Sequence, residues 1–248
     1  MIYIKSAREL DIMRRAGRIN ADLLDLLSQS VRPGITTLEL DKIAYDYIKK
    51  HNAVPSFLNY RGFPNSICAS INEEVVHGIP SKRALREGDI ISFDVGVCLE
   101  GYHADAARTV GVGQISDAAA RLIEKTEQSF FKGVAAVKAG VRLGDLSNAI
   151  QTYVEENGYS VVRKLVGHGI GSALHELPDV PNFGTAGRGV RLLAGMTIAV
   201  EPMVNEGTYE VKTMPNGWTE VTADGKLSAH YENTIIITKD GVEMTTKL

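Results

Sequence analysis

The second half of this chain repeats the first at an offset of 106 to 107 residues. Val31-Arg32-Pro33-Gly34-Ile35 recurs as Val137-Lys138-Ala139-Gly140-Val141. The helical pattern that follows keeps register through Leu40 and Leu146, Tyr47 and Tyr153, Ile48 and Val154. Gly88 to Asp94 recurs as Gly195 to Glu201, so an acid falls on an acid. His103-Ala104-Asp105 matches His230-Tyr231-Glu232, and His77-Gly78-Ile79-Pro80 matches His175-Glu176-Leu177-Pro178. Chance likeness of two helix-turn-helix segments would explain the helices alone. It does not explain acids meeting acids twice, in order. The repeat implies an α+β chain of two similar halves, roughly 1–113 and 114–248, within a single domain 1–248. Their sheets are expected to join into one curved sheet with helices on its outer face. A ligand site is expected between the halves.

Local signals fill in this frame. Ser6-Ala7-Arg8-Glu9 and Thr36 to Glu39 have capping-box spacing. Ile12, Ala16, Ile19, Leu23 and Leu27 recur with helical period until Pro33-Gly34 breaks the pattern. The second helix should end near Lys50, and a third should run from near Asp117 towards Lys138. Ile90 to Val97 and His103 to Val110 read as buried strands, with a turn at Leu99-Glu100-Gly101. A turn centred between Leu99 and Glu100 would set Asp94 directly opposite Asp105. Like charges at opposed strand positions repel, and an apolar setting raises that cost unless a cation sits between them.

Two further acids share this predicament. Glu201 lies in TIAVEPMV, and Glu232 precedes Asn233-Thr234-Ile235-Ile236-Ile237. A lone acid in such apolar, β-branched sequence is rarely buried unless paired or liganded. Asp94, Asp105, Glu201 and Glu232 carry four negative charges, which two divalent ions would cancel. Arg108 is the cation the strands supply nearby. Oxygen-rich ligation with a little nitrogen suits Mn, Fe, Co or Zn.

Six histidines bear on the same site. His168 lies in Gly167-His168-Gly169-Ile170-Gly171, where small neighbours permit close approach; beside four unpaired acids it reads as a metal ligand. His77 and His175 hold matching places and would flank the ions and contact substrate. His103 and His230, two residues before Asp105 and Glu232, read as supporting groups outside the ligand set. His51 ends a polar helix and reads as surface.

The remaining features mostly exclude. A net charge of −3 gives no footprint for nucleic acid. No apolar stretch is long enough to span a bilayer, and MIYIKSAREL has no signal-peptide pattern. Cys68 and Cys98 form no framework and no CxxC pair, so a reducing, cytoplasmic setting is expected. Dinucleotide, P-loop, GxSxG and HExxH motifs are missing from the sequence.

On SICASINEEVVHGIP, FDVGVCLEGYHAD, GHGIG followed by His175-Glu176, IAVEPMVN and HYENTIIIT, the chain resembles the type I methionine aminopeptidases of the short bacterial kind. The resemblance runs from the first helix to the last strand. It implies the pita-bread (creatinase/aminopeptidase-like) fold, its curved sheet mainly antiparallel, and two divalent ions drawn from Co, Mn, Fe or Zn. Asp94, Asp105 and Glu232 would hold one ion; Asp105, His168, Glu201 and Glu232 would hold the other. The implied reaction is hydrolysis of the first peptide bond, releasing the N-terminal Met of nascent proteins when the second residue is small. Glu201 would move the proton of the attacking water, while His175 and His77 would contact substrate and stabilise the oxyanion or the leaving amine. Tyr60, Phe63, Cys68 and Trp218 match the family's methionine pocket; Phe57 and Leu174 depart from residues some relatives carry there. Asn72, Glu74 and Ser228 match a backbone site for one sodium or potassium ion. A monomer with transient ribosome association completes the expectation.

Proline-specific aminopeptidases and dipeptidases resemble the chain in all five metal ligands. They normally carry an additional N-terminal domain, whereas this sequence opens on the first helix. Binding modules of the same fold should have lost ligands, and here none is missing.

Overall fold

Capping decides where the helices start. The computed structural model describes residues 2–247; Met1 and Leu248, the ends of the expected domain, lie outside the described residues. Helix α1 spans Ala7–Ser30 and α2 spans Thr37–Lys50. Both open on the capping boxes read from the sequence: the Ser6 and Thr36 hydroxyls accept from the Glu9 and Glu39 N–H groups, and each glutamate accepts from its cap's N–H in return. Helices α3, Asp117–Val134, and α4, Leu143–Glu156, follow in the second half. The third helix stops at Val134, short of Lys138, because Ala135 to Val137 pack as a turn.

The strands alternate sharply. In Ile90–Leu99, the side chains of Ile91, Phe93, Val95, Val97 and Leu99 enter one core with α1 and α2. Ser92, Asp94 and Gly96 occupy the other face, as a period of two requires. In the second half Ile198, Val200, Ile235 and Ile237 pack with α3 and α4, which leaves Glu201, Glu232 and Thr234 for the opposite face. Leu23 and Leu27 of α1 are fully buried, each contributing about 1.5–3 kcal/mol. Helices therefore cover one side of each half, and the acids line the other. Every strand pairing among the described residues is antiparallel. No helix among the described residues is long and apolar enough to cross a membrane.

The repeat is visible in the hydrogen bonds. Gly34 N–H donates to the Leu85 carbonyl and Leu85 N–H to the Ile35 carbonyl, both at 2.8 Å; Gly140 to Leu192 and Leu192 to Val141 do the same, also at 2.8 Å. The halves meet along one seam. Ala107 and Glu232 exchange N–H to carbonyl bonds of 3.3 and 3.0 Å, so the four- and five-stranded sheets continue into one another.

Two expectations about register need correction. Leu99 pairs with Tyr102, so the turn is centred between Glu100 and Gly101. Both have positive φ, 49° and 83°, the requirement of a two-residue type I′ turn. Asp94 consequently opposes Ala107, and Asp105 opposes Gly96. The two aspartates share a face as diagonal neighbours and are not directly opposed.

The second correction concerns the repeat. Phe93 pairs with Arg108 and Val200 with Asn233, so a shift of 107 on one strand (93 to 200) is matched by 125 on its partner (108 to 233). That shift places Glu232 on Ala107 and His230 on Asp105. The letter match of Asp105 with Glu232 is out of register by two residues. The hydrogen bonds agree with the new pairing. The Thr234 hydroxyl accepts from Asp105 N–H and donates to the Asp105 carbonyl, both 2.9 Å. The Thr109 hydroxyl treats His230 identically, both 2.9 Å. A pseudo-twofold axis thus passes between Ala107 and Glu232.

Candidate metal centre

The strand faces left bare by the helices converge on one cavity of about 150 Å³. Asp94, Asp105, His168, Glu201 and Glu232 line it, together with His77, His175, Tyr60, Phe63, Cys68 and Trp218. Every residue expected for the divalent ions and the methionine pocket is therefore gathered in one place. Phe57, Leu174 and Arg61 line it as well. The register separates His77 and His175 as the letter match does. Cys68 pairs with Asp94, and the pairing of His168 with Ala199 places Val166 opposite Glu201. The offset from 68 to 166 is 98, the same as from 77 to 175.

The acids are held in a setting hostile to their charge. Asp105 and Glu232 are 3% and 2% exposed. Burial raises all four carboxyls: Asp94 to about 7, and Asp105, Glu201 and Glu232 well above the usual range. After burial the largest cause is mutual repulsion, Glu232 and Asp94 acting on Asp105, and Glu201 on Glu232. Arg108 offers little relief. Its guanidinium is spent on the carbonyls of Ala107, Glu232 and Thr246 and on the Asn233 side chain.

Polar atoms without partners mark the space a cation would fill. Asp94 Oδ1, Asp105 Oδ1, Glu232 Oε1 and both ring nitrogens of His230 are buried and unbonded. Such orphans are rare enough to need a cause. Ligand atoms of Asp105, His168 and Glu232 lie within 4.8 Å of one another, as do those of Asp94, His230 and Glu232. His168 Nδ1 donates to the Gly169 carbonyl at 2.8 Å, which leaves the Nε2 lone pair free. That Nε2 lies 3.7 Å from Glu201 Oε1 and 3.8 Å from Asp105 Oδ2. These gaps are too long for hydrogen bonds but suit ligands each about 2.1 Å from a shared ion. Burial also holds the His168 pKa at about 4, neutral and fit to ligate. The residues present therefore fit a pair of divalent ions.

Around the acids the cavity is aromatic. Phe63 meets Trp218 edge-on at 5.2 Å, and His77 lies against the same indole at 6.5 Å. His175 stacks on Tyr60 at 5.3 Å, with the tyrosine hydroxyl 2.8 Å from Nδ1. Burial first, then His168 and Arg61, press the His175 pKa down to about 3. Burial also raises the Cys68 thiol, keeping it neutral. Phe57 and Leu174 join Cys68 and Phe63 in one apolar cluster.

Other expected residues stand apart. His103 is engaged by Ser56 Oγ at 2.8 Å, and His51 bonds the Tyr47 carbonyl at the end of α2. Asn72, Glu74 and Ser228 come together where Ser228 N–H donates to the Asn72 carbonyl at 2.9 Å. Their side chains bond Asp89, Ile90, Ile71, Arg83 and Asn205. His230 departs furthest from expectation. It is 1% exposed and sits inside the acid cluster. Only the strand register could have revealed this, because the letter pattern set it beside His103.

Known proteins match this geometry. A methionine aminopeptidase of Clostridium perfringens is 58% identical over 246 residues, 99% of each chain. The crystal structure of a methionine aminopeptidase from Thermotoga maritima superposes with a TM-score of 0.99 at 43% identity, covering all of both chains. An Xaa-Pro dipeptidase from Bacillus anthracis matches with a TM-score of 0.79 at 26% identity, and this chain spans 62% of it. The pattern of metallopeptidase family M24 covers residues 11–239. By that pattern and by full-length relatives above half identity, the chain belongs to metallopeptidase family M24, among its methionine aminopeptidases.

Proposed function

We propose that this protein removes the N-terminal methionine from nascent chains in the cytoplasm when the second residue is small, using two divalent ions. One observation carries the reading: Asp94, Asp105, Glu201 and Glu232, three of them with an orphaned buried oxygen, meet His168 at the floor of an aromatic cavity. Asp94, Asp105 and Glu232 would hold one ion; Asp105, His168, Glu201 and Glu232 would hold the other. When bound, the ions supply the Lewis acidity that activates water and polarises the scissile carbonyl.

The protein's own groups do the rest. Glu201, its carboxyl raised by burial and by Asp94 and Asp105, accepts the proton of the attacking water and passes it on. With the His175 proton on Nε2, Nδ1 accepts from the Tyr60 hydroxyl 2.8 Å away and Nε2 can donate to the developing oxyanion. His77, also kept neutral by burial, serves the leaving side. The methionine thioether rests against Phe63, Trp218 and the neutral Cys68 thiol, a favourable sulfur–aromatic contact. His77 is backed by Trp218, and His175 by Tyr60 and His168. Both rings line the cavity where the residue after the methionine would lie, so a bulky second residue would meet them.

The test is substrate choice. Protein stripped of metal and reloaded with Mn or Co should release Met from Met-Ala-Ser and not from Met-Leu-Ser. Release of alanine from Ala-Pro-Ala instead would overturn the assignment. His168→Ala or Glu201→Ala should abolish turnover with the fold retained.

A further inference from the structure

His230 has no work that hydrogen bonding can explain. It is 1% exposed, and neither ring nitrogen has a partner. Its Nε2 lies 3.8 Å from Glu232 Oε2 and 3.9 Å from Glu201 Oε2. Those separations are beyond a hydrogen bond. The separation from Glu232 equals the 3.8 Å that His168 Nε2 keeps from Asp105, within the span of two ligands each about 2.1 Å from one ion; Glu201 belongs to the other ion's set. A ligand atom from each of Asp94, His230 and Glu232 falls within 4.8 Å of the others.

The pseudo-twofold axis supplies an independent argument. His230 is the counterpart of Asp105, and each is locked by the same device. One threonine hydroxyl satisfies both backbone groups of Asp105, and another satisfies both backbone groups of His230. The fold thus drives the two side chains into the centre from related directions. The second half has an imidazole where the first has a carboxylate.

We infer that His230 is a direct ligand of the ion held by Asp94 and Glu232, so that each of the two ions carries one imidazole. The inference rests on the two-ion reading above. Nitrogen at both positions shifts preference away from Mn and towards Fe, Co and Zn.

The test is proton NMR of the Co(II)-loaded protein in water, where the N–H of each ligating imidazole gives an exchangeable signal far outside the diamagnetic range. Two such signals are expected, one lost in His168→Ala and the other in His230→Gln. A single signal, lost in His168→Ala and kept in His230→Gln, overturns the inference and leaves the two-ion reading standing. No shifted signal overturns both. The wild-type count needs no variant, so misfolding of a substituted chain does not block the answer. Calorimetric titration gives a second readout: His230→Gln should weaken one Co(II) binding step beyond the roughly 10–100-fold that loss of a merely supporting partner costs. Two unchanged steps would also overturn the inference.

Discussion

Asp105 and His230 stand in equivalent positions about the axis that relates the halves, each fastened through its own N–H and carbonyl to a threonine hydroxyl, Thr234 and Thr109 respectively. Both threonines are buried. Removing either hydroxyl leaves a buried N–H without a partner, at a cost of about 1–3 kcal/mol. Thr234→Val and Thr109→Val should each lower the unfolding free energy by that amount, read as a lower urea midpoint with the slope unchanged. Thr234→Val should also weaken ion binding, because Asp105 loses its anchor. Midpoints equal to wild type would show that the clasps do not hold the seam.

Ion binding should release protons. Asp94 sits at about 7, and the three other carboxyls are raised well above their usual range, so the metal-free cluster is partly protonated at neutral pH. A raised folded-state pKa adds stability below the unfolded value, and that stability is lost as pH climbs through the folded one. For Asp94 the window runs from 3.8 to about 7. Metal-free protein should therefore lose stability from this group across that window, while divalent ions bind more tightly as the protons leave. Titration at pH 7 in buffers of different ionisation enthalpy should give different apparent heats; identical heats would contradict it.

Lys5 and Glu176 form a buried ion pair of 2.6 Å, with side chains 5% and 7% exposed. The pair ties the segment before α1 to the strand that follows His175. Breaking one side strands the other charge, at about 3–5 kcal/mol, whereas removing both is far less costly. Lys5→Met should show that loss by chemical denaturation, and adding Glu176→Leu should restore much of it. A double variant no better than the single would reject the account.

Glu9 links the start of α1 to the hairpin. The Tyr102 hydroxyl, then the N–H and hydroxyl of Ser6, hold its pKa down at about 2. A lowered pKa contributes stability above the unfolded value of 4.5 that is lost as pH falls through about 2. Glu9→Gln should lower Tm modestly at pH 7, the group being near the surface. The gap to wild type should close between those two values. A gap independent of pH would refute the linkage.

The clustered acids were legible because each interrupts an apolar, β-branched run, where no ordinary residue of its charge belongs. The helix starts were legible because Ser6/Glu9 and Thr36/Glu39 encode both halves of a capping box. Register was not. Leu99-Glu100-Gly101 announces a turn without fixing its centre, and Glu100 takes a positive φ that side chains seldom adopt. The place of Glu232 failed for a related reason. Letters paired it with Asp105, but hydrogen bonding pairs it with Ala107. The place of His230 was hidden in consequence, since what positions it is Thr109, more than a hundred residues away. Phe57 and Leu174 reach the cavity through packing that no local pattern records.

The reciprocal bond between Ala107 and Glu232 also bears on how the molecule is made. Synthesis delivers Asp94 and Asp105 long before Glu201 and Glu232 emerge. Until then the first hairpin holds two acids with neither His168 nor an ion to offset them. The early half has an electrostatic reason to stay open, and closure of the seam rewards only a chain whose second half has arrived. The full set of acids therefore gathers only when the seam closes.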